Sequence, residues 1–390
     1  MLIMTINQPE SREIMKARIE ADGLEEVVAA TTRLSDVDGE QGRLVLAGYP
    51  VEDVAGRIPF EDAMHLLFRG TLPTTAQRAA LREALGDARE TAFERIGELG
   101  DALALPDSMD ALRASLAHLG AVAGEDPFTE AVRIVSAAAV FAAAWARQPL
   151  PVRPDPRLPH AADYLRMIRG GAPAPTAAEI AALDAYLVTV IDHGMNASTF
   201  AARVVASTAS DTVSAVVAAV GALKGKLHGG APGPVLDMLD AIRDADEARA
   251  WVTGALGRGE RIMGMGHRVY RVRDPRAFVL ERAIAELERS SDASSPIGHR
   301  LRLARAVEKE AETQLAARHP ERPLKANVEF YTAVLLEALG LPRTLFTPTF
   351  ASSRAAGWCA HVDEQRTYGR LIRPKSRYVN LGVDGNETAA

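Results

Sequence analysis

Apolar residues recur about every 3.6 positions along much of this chain, which is the spacing of amphipathic helices. The most regular segments are Ala177–Val190, residues 201–223 and residues 276–288, and each is predicted to form one helix. A shorter helix is predicted at Phe60–Arg69, ending at Gly70. The alanine-rich residues 135–146 predict a buried helix, and no apolar stretch reaches the ~18 residues that span a bilayer.

Residues 30–46 follow a different pattern. Two short stretches, 30–35 and 43–46, flank Asp38-Gly39, so a small hairpin is predicted there. Residues 149–159 are rich in proline and predict a connection. Because the rest of the pattern is helical and helix-favouring residues dominate, the predicted fold class is mainly α, with a small N-terminal β-hairpin.

The composition is that of an ordinary globular chain, with 47% hydrophobic and 25% charged residues in 390, long enough for two or three domains. Residues 1–23 contain several acids and no long apolar core, so neither a signal nor a transit peptide is expected. Cys359 is the single cysteine, which excludes an intramolecular disulfide and a cysteine metal cage. A cytoplasmic location is therefore expected.

The net charge of −6 argues against non-specific nucleic-acid binding. Two local clusters are basic instead. Residues 261–276 contain five arginines and one acid, a local charge of +4, and residues 366–377 contain four arginines, one lysine and no acid, a local charge of +5. Solvated helix faces account for part of these clusters. Because arginine binds carboxylates and phosphates in bidentate fashion, the two clusters together favour an anionic ligand.

Candidate chemistry is concentrated in four segments rich in glycine, histidine, arginine and acids: residues 192–199, 226–233, 264–276 and 326–331. His193, His228 and His267 each lie beside a glycine, which lets the backbone approach a ligand closely. A single histidine is more often structural than functional. Three of them together with the carboxylate of Glu329 indicate a site.

Other motifs do not fit the sequence. Gly264 and Gly266 lack the third glycine of a dinucleotide fingerprint, and Lys226 lacks the serine or threonine that follows in a phosphate loop. His361 and Glu364 are one helical turn apart, but a catalytic zinc site usually has three protein ligands. No metal is therefore expected.

The four segments resemble the motifs of bacterial-type citrate synthases, and the resemblance runs from residue 23 to residue 376. Its longest parts are residues 193–203, 221–231 and 266–276, with early markers in residues 35–49. It implies a multi-helical two-domain fold. The large, dimer-forming domain would comprise residues 1–223 and 334–390, and a small domain of residues 224–333 would close over the substrates. The implied assembly is a homodimer in which Arg373 reaches the site of the other subunit.

The resemblance implies an acyltransferase of the tricarboxylic acid cycle that condenses acetyl-coenzyme A with oxaloacetate and water to citrate and free coenzyme A. The thioester is a substrate, and no cofactor is required. The implied catalytic residues are His228, His267 and Glu329. The implied oxaloacetate ligands are His193, His267, Arg276, Arg354 and Arg373. The implied coenzyme A ligands are Arg271, Met263, Gly264, Met265 and Gly266.

The residue types fit the chemistry of that reaction. A proton must leave the methyl group beside the thioester, and Glu329 is the expected base. The developing enolate oxygen needs a positioned hydrogen-bond donor, which is the role implied for His228. His267 would polarise the ketone of oxaloacetate, and the arginines would hold its two carboxylates.

Glu329 departs from the family motif, which has aspartate at this position, and Ala326 replaces a proline. The extra methylene moves the carboxylate by up to ~1.5 Å, and a displacement of that size can cost ~100-fold in rate. Either the backbone compensates, aided by the freer φ of alanine, or the enzyme is slower, or its acyl substrate differs. Two other functions stay open: a 2-methylcitrate synthase that uses propionyl-coenzyme A, and a non-catalytic protein that binds oxaloacetate or coenzyme A.

Overall fold

A computed structural model describes the chain at residues 24, 27–229, 232–266, 270, 272–290, 296–321 and 324–376. The predicted site residues His267 and Arg271 lie outside the described residues. The chain divides into two units, one of residues 1–31 with 371–390 and one of residues 32–370. In the described part of the first unit there is no helix and no strand.

The unit of residues 32–370 is built almost entirely from helices. In the part of the chain that the structure describes, these are α1 (Val51–Val54), α2 (Phe60–Arg69), α3 (Thr75–Glu94), α4 (Ser108–Ala117), α5 (Pro127–Ala146), α6 (His160–Ile168), α7 (Ala177–Val190), α8 (Ala197–Ala206), α9 (Thr212–Leu223), α10 (Pro232–Asp240), α11 (Ala248–Gly257), α12 (Pro275–Ser290), α13 (Pro296–Arg318), α14 (Val328–Ala338) and α15 (Phe346–Tyr368). Short 3₁₀ turns lie at Arg95–Glu98, Ala102–Ala104, Ala245–Glu247 and Arg343–Leu345. The prediction of a mainly α fold is confirmed.

The predicted hairpin is present and belongs to a three-stranded antiparallel sheet. Its strands are β1 (Ser35–Asp38), β2 (Arg43–Leu46) and β3 (Tyr49–Pro50), in that order. In the turn between β1 and β2, Asp38 Oδ1 accepts hydrogen bonds from two backbone N–H groups, of Glu40 and Gln41. The first strand was predicted five residues too early. The N–H of Leu34 bonds to Thr32 Oγ1, and the strand ladder begins only with the pair of Ser35 and Leu46.

The helices with clear local end signals lie where they were predicted. Helix α7 begins with a capping box between Thr176 and Glu179. Helix α2 ends at Gly70, whose φ of +72° is readily adopted by glycine and whose N–H bonds to the carbonyl of Leu66. The predicted residues 276–288 lie within α12.

The prediction of one helix over residues 201–223 is wrong, because two helices lie there. Helix α8 ends at Ala206, and Ala209 has a φ of +63°, which a continuing helix does not allow. Asp211 then caps α9 by accepting a hydrogen bond from the N–H of Ser214, at 2.8 Å. The apolar periodicity continues over both helices, so the periodicity gives no sign of the break before the Asp211 cap.

Helix α5 is longer than the predicted residues 135–146 and lies in the core. Asp126 caps its N-terminus, with Pro127 in the first turn. It packs against α3, α4 and α15. By length and composition it could cross a membrane, but 78% of its most apolar window is buried inside the protein. Burial against three helices identifies it as a core helix.

Gly86 is required where α3 approaches the connection after α5. A Cβ at Gly86 would lie 2.3 Å from the backbone carbonyl oxygen of Pro156. We expect Gly86→Ala to lower the free energy of unfolding by about 1–3 kcal/mol, since backbone must move to admit the methyl group. Gly97 is exposed, and its Cβ would meet nothing within 4 Å, so Gly97→Ala is the control. Equal urea midpoints for the two variants would contradict this packing.

Candidate active site

Helix α15 presents one buried face to residues 190–198, which run from the end of α7 to the start of α8. Arg354, Trp358 and His361 follow one another at helical spacing, and each is at most 1% exposed. Their hydrogen bonds run from Arg354 Nε to the Val190 carbonyl oxygen (2.6 Å), from Trp358 Nε1 to Ser198 Oγ (3.1 Å), and between His361 Nε2 and Asp192 Oδ1 (3.1 Å). The helix can approach this closely because Gly357 has no side chain. A Cβ there would lie 2.2 Å from the carbonyl oxygen of Ile191.

His193 lies in the turn held by this face. Its Nε2 is 3.0 Å from the hydroxyl of Tyr270, and the two rings meet edge to face with centroids 5.8 Å apart. The guanidinium of Arg276 lies 5.8 Å from the centroid of the same Tyr270 ring. Tyr270 therefore brings His193 and Arg276, two of the predicted oxaloacetate ligands, to one place.

Two buried guanidinium groups supply positive charge. Arg276 makes a bidentate ion pair with Asp274, at 3.0 and 2.9 Å. Burial opposes the charge of Arg276, but Asp274 outweighs burial and raises its pKa. For Arg354, burial and the charge of Arg276 lower the pKa to about 10, so it stays protonated at neutral pH. Asp274 compensates the charge of Arg276, and Asp192 acts to raise the pKa of Arg354. Guanidinium groups of this kind bind carboxylates in bidentate fashion.

The carboxyl group of Glu329 is poised to act as a base. Its helix α14 is capped by Asn327, whose Oδ1 accepts from the N–H groups of Glu329 (3.0 Å) and Phe330 (3.2 Å). The residue as a whole is half-buried, but its carboxyl end lies deep. Burial raises its pKa to about 7, Asp274 adds to this, and the charges of Arg276 and Arg354 oppose it. A carboxyl with this pKa exchanges protons near neutral pH.

His228 is held as a neutral imidazole. Burial, followed by the charge of Arg354, lowers its pKa to about 4. Its Nε2 is 2.9 Å from Ser198 Oγ, which also accepts the N–H of Trp358. The single hydroxyl proton of Ser198 points either to Asn196 Oδ1, at 2.8 Å, or to His228 Nε2. When it points to His228, the imidazole proton is on Nδ1 and is available for donation to a ligand.

The predicted coenzyme A segment, residues 263–266, lies against the chain before α14. The N–H of Gly266 bonds to the Lys325 carbonyl oxygen at 2.8 Å, and the side-chain N–H of Asn327 bonds to the Gly266 carbonyl oxygen at 2.6 Å. The glycines have φ near +77°, and a Cβ at Gly264 would lie 2.8 Å from that of Phe330. This segment and Glu329 are therefore positioned by the same asparagine.

A cavity of about 510 Å³ opens beside this segment. Met265 and Gly266 form part of its wall. Three side chains that can carry positive charge and one acid line the rest of its polar surface: Arg261, Arg318, His319 and Glu260. The cavity has room for part of a large ligand and favours negative charge on it.

Ala326 makes a contact that a proline could not make. Its backbone N–H donates to Glu312 Oε1 at 3.2 Å, and the neighbouring Lys325 pairs with Glu312 Oε2 at 2.6 Å. Proline has no N–H to donate. The alanine at this position therefore ties the segment before Glu329 to α13.

The structure gathers five of the predicted site residues in one region: His193, His228, Arg276, Glu329 and Arg354. The charge of Arg354 affects the pKa of His228 and Glu329 and responds to Arg276, and Tyr270 contacts both Arg276 and His193. Arg373 is exposed and belongs to the other unit. His361 and Glu364, considered above as a metal pair, both bind Arg203. Among the described residues no group of three potential metal ligands occurs.

Sequence reasoning gave no role to several side chains that hold the site. Four of them lie within the candidate segments, namely Asp192, Ser198, Tyr270 and Asn327, and Trp358 lies outside those segments. Asn196 and Asn327 each precede a helix, and a cap signal could have identified them as anchors. Trp358 gives no such signal, because its partner Ser198 is 160 positions away.

Three comparisons with known proteins agree with one another. Residues 23–375 match the family model for the citrate synthase C-terminal domain. Citrate synthase of Haloferax volcanii is 39% identical over 371 residues, covering 91% of this chain and 94% of that protein. The 2-methylcitrate synthase of Mycobacterium tuberculosis is 37% identical over 372 residues, covering 91% and 89%.

Solved citrate synthases have the same fold. The crystal structure of the enzyme from Thermotoga maritima aligns with a TM-score of 0.77 at 34% identity, covering 93% of this chain and 96% of that one. The enzyme from Thermoplasma acidophilum, solved as a ternary complex with carboxymethyl coenzyme A and oxaloacetate, aligns with a TM-score of 0.80 at 28% identity, covering 93% and 96%.

Proposed function

Because this chain belongs to the citrate synthase family, we propose that it condenses acetyl-coenzyme A with oxaloacetate and water to citrate and free coenzyme A. The observation that supports this most directly is that the charge of buried Arg354 acts on both a raised-pKa carboxyl, Glu329, and a neutral imidazole, His228. A base and a hydrogen-bond donor near the same arginine suit enolisation followed by addition to an anionic ketone.

In the first step Glu329 takes a proton from the methyl group of the thioester. A carboxyl with a pKa of about 7 is a stronger base than an ordinary glutamate. The negative charge moves to the thioester oxygen, and Nδ1–H of His228 donates to that oxygen. This arrangement requires the hydroxyl proton of Ser198 to point to His228 Nε2 and not to Asn196 Oδ1. A positioned donor of this kind stabilises an enolate by several kcal/mol.

In the second step the enolate carbon attacks the ketone of oxaloacetate. We assign the two carboxylates of oxaloacetate to Arg276 and Arg354, with His193 as a further ligand and His267 as the group that polarises the ketone. The ketone oxygen takes a proton as the carbon–carbon bond forms. Water then hydrolyses the thioester, and the coenzyme A thiol leaves. The acyl group becomes an alkyl group on transfer, which makes the enzyme an acyltransferase.

Coenzyme A binds as part of the substrate, and the reaction needs no other cofactor and no metal. We assign its nucleotide end to residues 263–266, which lie beside the cavity of about 510 Å³. We also assign Arg271 to it on the family resemblance. Arg261 and Arg318 in the wall of that cavity supply charge for its phosphates.

We propose the domain division, assembly and location given by the family resemblance. Residues 224–333 form the small domain that closes over the substrates, and residues 1–223 and 334–390 form the large one. The protein acts in the cytoplasm as a homodimer, with Arg373 of each subunit reaching oxaloacetate in the other. Lys224, at the boundary, pairs with Asp110 of α4 at 2.5 Å, so this end of the proposed small domain is tied to the proposed large one.

For the longer side chain of Glu329 we propose compensation by the backbone. The bond from the Ala326 N–H to Glu312 supports a segment held closer to α13 than a proline would permit. The compensation idea requires that Glu329 face the thioester methyl group, and a liganded structure with this side chain turned away would exclude it.

The proposal is tested by release of free thiol from acetyl- or propionyl-coenzyme A, with and without oxaloacetate. A larger kcat/KM with acetyl-coenzyme A is expected. A larger value with propionyl-coenzyme A would make the protein a 2-methylcitrate synthase, the activity for which the Mycobacterium tuberculosis relative is named. No oxaloacetate-dependent release with either thioester would favour the non-catalytic binding protein. The thiol of Cys359 is buried, so its background is expected to be small.

Activity is expected to fall in acid. Glu329 must be ionised to act as a base, and its pKa is raised to about 7. Below that pH the ionised fraction, and with it kcat/KM for acetyl-coenzyme A, should fall about tenfold per pH unit. A pH–rate profile of thiol release checks this. A profile that stays flat down to pH 5 would contradict the assignment of Glu329 as the base.

Ser198→Ala is expected to lower kcat by about 10- to 100-fold, because His228 loses the partner that fixes its proton. The fold should persist, since Ser198 lies at the start of α8 and Asn196 still caps that helix. Ser352→Ala is the control, a buried serine of α15 whose hydroxyl bonds within its own helix, to the Thr349 carbonyl oxygen. Similar kcat values for the two variants would contradict the role of Ser198.

A further inference from the structure

We infer that His361 and Arg203 are positioning residues for oxaloacetate, acting through Asp192 on the turn that holds His193. Neither residue is part of the proposed catalytic or substrate-binding set, and both are at most 1% exposed. The inference rests on the proposed function, because it assigns oxaloacetate to His193.

The contact between Arg203 and His361 fixes where the imidazole proton lies. Arg203 Nε is 3.0 Å from His361 Nδ1. A guanidinium N–H can only donate, so Nδ1 must accept. A neutral imidazole then carries its proton on Nε2, which faces both oxygens of Asp192 at 3.1 and 3.2 Å. A proton on Nδ1 of His361 would point at the N–H of Arg203 Nε, which is also a donor. The geometry therefore favours the neutral form with the proton on Nε2.

Arg203 is held in turn by two other side chains, so it has little freedom to release His361. Its Nη1 donates to Gln365 Oε1 at 3.0 Å, and its Nη2 pairs with Glu364. The other oxygen of Glu364 accepts the backbone N–H of Arg33 at 2.9 Å. Glu364 compensates the buried charge of Arg203, which makes the pair tolerable in the interior.

Asp192 connects His361 to the residues on both sides of His193. It is itself the residue before His193, and its Oδ2 accepts the hydroxyl proton of Ser35 at 2.5 Å. The Ser35 oxygen accepts the N–H of Gly194, the residue after His193, at 2.8 Å. Burial alone would raise the pKa of Asp192, but the hydrogen bonds from His361 and Ser35 and the charge of Arg354 act in the opposite direction.

These contacts form one continuous path of hydrogen bonds through Glu364, Arg203, His361, Asp192, Ser35 and Gly194. Each hydrogen bond in it has a defined donor and a defined acceptor. Fully satisfied buried networks of this kind make the residues they contact more rigid. Because the path ends on the two neighbours of His193, loosening it should turn this side chain. It should leave the coenzyme A segment in place, since that segment is held by Asn327.

If the role were purely structural, a substitution would lower stability and would not affect one substrate more than the other. The test therefore compares KM for oxaloacetate with KM for acetyl-coenzyme A. We expect His361→Leu to raise KM for oxaloacetate about 10- to 100-fold, the scale known from metal sites in which a ligand loses its hydrogen-bond partner. KM for acetyl-coenzyme A, measured at saturating oxaloacetate, should change less than about twofold. His361→Gln retains an amide N–H for Asp192 and an oxygen for Arg203, and should recover most of the lost affinity.

His160→Leu is the matched control. His160 is a buried histidine of α6 that stacks on Phe60, and its backbone N–H bonds to Glu61. It should lose stability and keep both KM values. If His361→Leu does not fold, Ser35→Ala interrupts the same path at a half-buried residue and should show the same selective rise.

An unchanged oxaloacetate KM in a folded His361→Leu variant, or an equal rise in both KM values, would overturn the inference while the proposed function stands. If the wild type releases no thiol, titration calorimetry with oxaloacetate replaces kinetics. Weaker oxaloacetate binding by His361→Leu than by wild type would then support the inference while the catalytic proposal fails, and equal binding would overturn it. No binding by the wild type would overturn both.

Discussion

Glu329→Gln is expected to lower kcat for thiol release by about 100- to 10,000-fold, the usual contribution of a positioned general base. Glutamine has nearly the same shape but cannot take the methyl proton. The substitution should not destabilise the fold. The pKa of this carboxyl rises from 4.5 to about 7 on folding. Its contribution to the free energy of unfolding therefore falls as pH rises between these values, and the fall is complete above pH 7. At pH 8 the variant should therefore be more stable than the wild type, by up to about 3 kcal/mol.

Loss of activity with a raised Tm at pH 8 and an unraised Tm at pH 4 is the expected pattern. Activity within threefold of the wild type would mean that another group removes the proton. A lowered Tm at pH 8 would mean that the ionised carboxylate stabilises the fold, which contradicts its raised pKa.

A double-mutant cycle tests whether the Ala326 bond compensates for the longer base. Glu329→Asp alone should lose about 100-fold in kcat, because the carboxylate is withdrawn by up to ~1.5 Å. Ala326→Pro alone should also lose activity, since it removes the N–H that binds Glu312. Under compensation the double variant is more active than the product of the single effects predicts. Effects that simply multiply would show that the two positions act independently.

His228→Leu is the second large expected effect. Removal of the donor to the enolate oxygen should lower kcat by about 100- to 1,000-fold. KM for oxaloacetate should change little, because His193, Arg276 and Arg354 stay in place. Leucine fills much of the same space, and the imidazole it replaces is neutral, with a pKa of about 4. The fold should therefore persist.

His193→Gln provides the opposite pattern as a control. It should raise KM for oxaloacetate and affect kcat less, because His193 is proposed to bind substrate and not to stabilise the enolate. Steady-state thiol release with each substrate in turn at saturation separates the two patterns. If both variants raise the oxaloacetate KM alike and leave kcat unchanged, His228 is a substrate ligand and the proposed enolisation step lacks its donor.

The sequence by itself determined the features that depend on neighbours in the chain. Helices α2 and α7 lie as predicted because Gly70 and the capping box at Thr176 act within a few residues. The mainly helical fold followed from composition and apolar spacing in the same way. Local reasoning failed for residues 201–223, where the period ran on through a break. The cap at Asp211 is a local signal, because it acts on a residue three positions away. The prediction was wrong because it relied on the periodicity alone.

The sequence also determined which residues were candidates, since glycine–histidine turns and local positive charge are visible without a structure. Only the tertiary structure decided their chemistry. The pKa of Glu329 is set by burial and by charges on α12 and α15, and the proton position on His361 is set by Arg203, which lies 158 positions away. Electrostatic and hydrogen-bond energies depend on distance in space and on exclusion of water. Both are set only when the helices pack. The sequence therefore identified the candidate groups, and the tertiary structure set their pKa values and the positions of their protons.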